Sequence, residues 1–183
     1  MDSDGPSTVA VTIDAAVWQT VVDDPEPLCR QAIRATLGRA APRDWLATAE
    51  ISLLLCDDAT MRRLNGRYRQ QDRATNVLSF PALELEPDQP PPAPGPAPVL
   101  LGDIALAAET VRAEAADQGK PTADHVRHLV VHGCLHLLGY DHRDAAGAAR
   151  MEDLERAILA DLGIPDPYEP GGADVRALLE AGA

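Results

Sequence analysis

The sequence predicts a single α+β domain. Three observations predict it: short β-branched runs alternate with segments of helical period, no stretch repeats another, and 183 residues suffice for one core but not two. Apolar residues make up 45 %, enough to bury that core, and with aromatics at only 3 % it must be built from Leu, Val, Ile and Ala.

Residues 8–13, TVAVTI, alternate and are β-branched, which marks a first strand. Residues 26–38 place Leu28, Ala32, Ile33 and Leu37 at helical spacing and end at Gly38, read as a C-cap. AEISLLL, residues 49–55, is a second strand, after which Asp57 or Asp58 caps a helix running through Met61 and Leu64 towards Tyr68. NVLSF, residues 76–80, is a short strand stopped by Pro81. The following PDQPPPAPGPAP, residues 87–98, cannot enter a central strand or a helix and reads as a stiff, polyproline-like surface loop. Structure resumes with the strand VLLGDIALA, residues 99–107, and a helix near 107–118. Lys120-Pro121 breaks that helix, and Thr122 or Asp124 is placed to cap the next, which runs through Leu138. A last helix spans 145–162 with Met151, Leu154, Ile158 and Leu162 on one face, and Gly163 ends it. The domain is bounded at 1–168, leaving 169–183 as a tail with one short helical possibility.

Charge and cysteine usage narrow the setting. A formal net charge of -13 disfavours unselective binding to nucleic acid or an anionic membrane, while still permitting a local basic patch to take a polyanion. The chain has no apolar run long enough to span a bilayer, and its acidic start, MDSDGPSTV, is not a secretory signal. Cys29, Cys56 and Cys134 are odd in number and widely spaced, which suits reduced thiols in a cytoplasm.

The chemistry concentrates in HGCLHLLGYDH, residues 132–142. His132 and His136 are four apart in a predicted helix, so both imidazoles leave one face a turn apart. A third ligand requires the chain to turn back, and Gly139 sits where a left-handed residue ends the helix and returns His142. Three neutral imidazoles leave a coordination position for water, which suits a catalytic rather than a structural zinc ion. Cys134 would be the usual fourth ligand of a closed site, but it lies about 200° round the helix and belongs to the core. Among the remaining histidines, His128 is one turn further back on the same face, placed to orient a ligand, meet substrate or sit half-buried. His125 reads as a surface residue.

The spacing matches that of metzincin proteases, except that Gly133 stands where those carry the glutamate general base. Peptide hydrolysis would lose its proton acceptor, a group worth about 10²–10⁴ in rate. A phosphodiester fits better, provided a cation faces its non-bridging oxygens. Arg62, Arg63, Arg67, Arg69 and Arg73 supply candidates, with Tyr68 available for base stacking, although a solvated helix end would also gather arginines. Asp141, beside the third histidine, is a further candidate catalytic residue, to accept a proton or orient an imidazole.

HGCLHLLGYDH, LNGRYRQQDRATNVLSFP and LGDI together closely resemble the YbeY-type endoribonucleases, bacterial ribosomal RNA maturation factors, over residues 50–168. The resemblance implies a mostly parallel four-stranded sheet covered by about five helices, with the metal in a cleft. It implies that His132, His136 and His142 bind one Zn2+ per chain and that Arg69 acts beside them. It further implies a single-strand-specific endoribonuclease in 3′-end maturation of small-subunit rRNA and ribosome quality control. The implied partners are the small ribosomal subunit and a ribosome-associated GTPase or ribosomal protein. Two departures stand out. Ala74, Thr75 and Asn76 replace the Pro-Thr-Asp that many members carry before VLSFP, and the loop at 87–98 is longer than usual.

Overall fold

Alternating apolar residues draw four strands into one sheet, joined mostly through helical crossovers. The computed structural model describes residues 8–87, 89, 92, 95 and 97–169. The strands β1 (Thr8–Ile13), β2 (Ala49–Cys56), β3 (Val77–Pro81) and β4 (Val99–Ala107) lie in the order β1-β2-β4-β3. β2 runs parallel to both β1 and β4, while β3 is an antiparallel edge on β4. Parallel neighbours require a crossover. Between β1 and β2 it is made by α1 (Trp18–Val21), α2 (Pro25–Ala40) and a 3-10 turn at Arg43–Leu46, and after β2 by α3 (Asp58–Arg69). The remaining helices are α4 (Ala108–Asp117), α5 (Thr122–Leu137) and α6 (Ala145–Asp161). The expected α+β domain with a mostly parallel four-stranded sheet is present, with the short α1 as an unexpected sixth helix among the described residues.

The two faces of the sheet are unequal. Ile51, Leu53 and Leu55 of β2 and Leu101, Ile104 and Leu106 of β4 point into the main core, where α2, α4, α5 and α6 contribute Leu37, Val111, Val131 and Ile158. The other face holds a small cluster in which Met61 of α3 meets Cys56, Leu78 and Ala105. Leu101 and Ile104 share a face despite odd spacing because the register with β2 shifts at Glu50/Ile51, and Gly102 takes φ 137° there. A Cβ on Gly102 would stand 2.2 Å from the Phe80 carbonyl oxygen, so only glycine fits this bulge.

Several local expectations are corrected. Gly38 does not cap α2, which continues through it to Ala40; the extended Ala41 before Pro42 ends the helix instead. Neither Thr122 nor Asp124 caps α5 through its side chain; Pro121 is the N-cap and both lie in the first turn. Asp57 does cap α3, its carboxylate accepting from the Thr60 amide at 2.8 Å. On α6 the predicted face packs on the core, Met151 and Ile158 buried and Leu154 and Leu162 partly so, but Glu155 joins it, also fully buried. The described residues of the proline segment are at the surface, and its other residues, with the tail beyond Glu169, lie outside the described residues.

Candidate metal centre

α5 is the central helix, packed on α2, α4, α6 and the β3–β4 side of the sheet. Its last turn carries His136 and ends in a Schellman motif: the Tyr140 amide donates to the Leu135 carbonyl and the Gly139 amide to that of His136. Gly139 has φ 91°, and a Cβ there would lie 2.2 Å from the Leu85 carbonyl oxygen. Glycine is required twice over, by conformation and by space. The reversal brings His142 back against the helix, its ring 5.3 Å from that of His136 and 6.0 Å from that of His132, centre to centre.

One ligating atom each from His132, His136 and His142 falls within 4.8 Å of the others, the only such group among the described residues. His132 Nε2 and His136 Nε2 are 3.0 Å apart. Nε2 of His142 is buried and lacks any hydrogen-bond partner. Converging ring nitrogens, one of them buried and unsatisfied, are what a shared metal ion would resolve, so the donor set fits one. Burial and the neighbouring His132 and His142 push the His136 imidazole down to about 3, keeping it in the neutral form a metal requires.

The other ring nitrogen of His132 points inward. Nδ1 lies 2.5 Å from Oε1 of Glu155, whose second oxygen accepts from the Tyr168 hydroxyl. Burial alone would raise the Glu155 carboxyl, but the neighbouring imidazoles, the hydrogen-bonded His132 first and then the nearby His128, outweigh it and hold the group below the usual range. Burial, then Glu155 itself, raises the Tyr168 phenol, so it stays a donor. Neither residue was singled out by the sequence reading. The available signal was an acid on the apolar stripe of α6, where a carboxylate is costly unless paired.

His132, His136 and His142 line one cleft of about 580 Å³ together with Arg69, Asp141, Ser79 and Arg143. Arg69 reaches it because Gln70 adopts the left-handed conformation (φ 57°) that ends α3 beside β3. Its Nη2 donates to the Ser79 carbonyl at 3.3 Å. Of the five clustered arginines it alone lines the cleft, while Arg62 is held bidentately by Asp72 at 2.6 and 2.8 Å. Tyr68 is exposed, with Phe80 edge-on at 5.1 Å, and does not line the cleft. The carboxylate of Asp141 accepts from the Arg143 amide at 3.2 Å, inside the turn that carries His142.

Gly133 faces the sheet rather than the cleft. A Cβ there would lie 3.0 Å from Ile104 Cγ2 and 3.1 Å from Ser79 Oγ, and the Ser79 hydroxyl donates to the Gly133 carbonyl. The missing glutamate therefore has a local packing counterpart: any side chain at 133 would require Ile104 or Ser79 to give way. Cys134 is buried away from the cluster, its thiol pushed up to about 12 by burial, as expected of core.

Two expectations about the other histidines change. His125 is not at the surface; it is 1 % exposed, with Nε2 2.8 Å from Glu114. His128 is also buried and does not meet the cleft, its Nε2 3.6 Å from Glu155 and its ring edge-on to Tyr168. Asn76 joins this buried network, its amide donating to both Glu114 oxygens at 3.1 and 3.3 Å. An aspartate at 76 would set carboxylate against carboxylate, so the departure at this position suits its local partner.

The sequence model described as Endoribonuclease YbeY matches residues 17–163. Among curated relatives, the Endoribonuclease YbeY of Rhodospirillum rubrum is 49% identical over 185 aligned positions, covering 99% of this chain and 89% of that protein. That of Paramagnetospirillum magneticum is 51% identical over 160, covering 87% and 94%. One from Rhodopseudomonas palustris is 50% identical over 164, covering 89% and 93%. Matched over most of its length and half identical to proteins of nearly its own size, the chain belongs to the YbeY endoribonuclease family.

Proposed function

We propose that the chain is a zinc-dependent endoribonuclease, specific for single strands, that acts in the cytoplasm in 3′-end maturation of small-subunit rRNA and in ribosome quality control. Its partners would be the small ribosomal subunit and a ribosome-associated GTPase or ribosomal protein. The observation that carries this reading is that Arg69 shares one cleft with three converging imidazoles, in a chain of this family. No helix among the described residues is long and apolar enough to cross a membrane.

His132, His136 and His142 would hold one zinc ion, which when bound supplies Lewis-acid activation of water and of the phosphoryl oxygen. Arg69 binds the scissile phosphate, its planar fork matching two non-bridging oxygens, and stabilises the charge that develops as the bond breaks. Asp141 braces the turn that delivers His142 and so orients that imidazole. Glu155 keeps the proton of His132 on Nδ1, leaving Nε2 free to face the cluster.

Cleavage of one end-labelled RNA with a hairpin and a single-stranded tail tests the reading. Expected are cuts confined to the tail, abolished by chelation, restored by zinc, and absent with Arg69→Ala protein that still holds metal. Zinc-loaded protein that cuts nothing, or an Arg69→Ala variant that cuts as wild type, would sink it. Peptide hydrolysis that survives Arg69→Ala would point to a different metallohydrolase.

A further inference from the structure

We propose that Tyr168 is a positioning residue of the metal centre, acting through Glu155 on His132 although it lies beyond the end of α6. The proposal rests on the reading above only in taking His132, His136 and His142 as the ligand set.

Glu155 is 0 % exposed in the middle of α6, and its two carboxylate oxygens are divided between two side chains. Oε1 takes the His132 Nδ1–H, and Oε2 takes the Tyr168 hydroxyl. A carboxylate held at one oxygen can still turn about its Cγ–Cδ bond, whereas one held at both has a fixed plane. The Tyr168 hydroxyl therefore sets the direction in which Glu155 receives the imidazole proton, and with it the aim of Nε2. His128 does not substitute for it, since its Nε2 stands 3.6 Å from the same oxygen, too long for a hydrogen bond.

The phenol is itself held from several sides. The Tyr168 amide donates to Asp166 at 2.8 Å, and Asp166 also pairs with Arg156 at 3.1 Å. The Arg156 guanidinium lies 5.0 Å above the Tyr168 ring, and Lys120 donates to the Pro167 carbonyl at 3.2 Å. These contacts seat the ring independently of its hydroxyl. Removing only the oxygen should leave the segment docked and release the carboxylate, and loss of such an outer partner typically weakens metal binding about 10–100-fold.

The experiment compares full-length wild type, Tyr168→Phe and Glu155→Gln. Zinc affinity is measured by competition with a chelator, and the His132 ring nitrogens by NMR in metal-free protein. Expected for Tyr168→Phe are wild-type circular dichroism, zinc binding about 10-fold weaker, and a shifted, faster-exchanging His132 Nδ1–H signal. Glu155→Gln should shift the same signal. A purely structural tyrosine would lower the melting temperature and leave the His132 ring signals unmoved. Wild-type zinc affinity with unmoved ring signals in Tyr168→Phe would overturn the proposal. Wild-type protein that binds no zinc would instead refute the ligand set, and the His132 signal in metal-free Tyr168→Phe would still decide whether Tyr168 positions that ring.

Discussion

α5 carries His125, His128, His132 and His136 along one stripe, yet its two halves do opposite things. In the first half, Glu114 closes off His125, and His128 is enclosed beside Tyr168. In the second half the stripe opens onto the cleft, where His136 and the returning His142 line a cavity with Arg69. His132 belongs to both, with Nδ1 on the closed side against Glu155 and Nε2 on the open side beside His136. The residue type and the helical face are the same throughout. What lies opposite decides whether an imidazole is a structural donor or an available ligand.

The largest test of this contrast is to remove one imidazole from each half. His136→Ala should abolish zinc binding and reduce cleavage to background, while the metal-free fold stays intact; metal content and RNA cleavage check both. His125→Ala should retain zinc but leave Glu114 short of a partner, at about 1–3 kcal/mol in urea unfolding. Equal loss of metal in the two variants would break the contrast.

Arg69→Ala comes next, acting across the cleft on the open half alone. Zinc content should be unchanged and cleavage about 10²–10³ lower, in line with loss of one preorganised charge-stabilising donor. A fall in zinc affinity would show that Arg69 supports the cluster and not the phosphate.

Gly133→Ala probes why the helix sits so near the sheet. The added methyl must displace Ile104 or Ser79, costing about 1–3 kcal/mol, and gains back about 1 kcal/mol of helix propensity. The expected result is a modest net loss in melting temperature with zinc retained. A stabilised variant would mean that β3 and β4 yield easily, and that packing does not exclude a glutamate there.

Acidity distinguishes the open half in metal-free protein. His136 is held at about 3 when folded, against an ordinary histidine value of 6.5, so between these pH values the unfolded chain binds the extra proton. Stability should be level above about pH 6.5 and fall progressively towards pH 3. Glu155, also depressed, adds to the loss below its ordinary carboxylate value. Urea midpoints at pH 7.5 and 5 should differ for wild type and differ less for His136→Ala.

The smallest effect is expected from Asp141→Asn. Weakening a single turn hydrogen bond to the Arg143 amide is worth about 0.5–1 kcal/mol, or up to about fivefold in zinc affinity. A loss of cleavage of 10² or more with zinc retained would make Asp141 a proton acceptor instead.

Much of this was legible because it is local. Three histidines at their spacing, and a glycine where the helix must reverse, are properties of one continuous segment, and helical geometry turns spacing into direction. The strands were legible from period-two alternation, and the cap at Asp57 from its place before a helix. Gly38 misled because a glycine tolerated inside a helix looks the same as one that ends it, and Pro42 ended the helix instead. His125 misled because a polar residue on a first turn looks exposed until Glu114 arrives from another helix.

By itself, then, the sequence determined the domain class, the three converging imidazoles and the turn that assembles them. Only the tertiary structure decided that Arg69 alone of five arginines lines the cleft, that Gly133 is packed tightly against the sheet, and that Glu155 and Tyr168 stand behind His132. Backbone periodicity acts over a few residues and can be read along the chain. Pairing of buried charge depends on which elements meet across the core, from positions as far apart as 76 and 114 or 132 and 168, and no local pattern encodes that meeting.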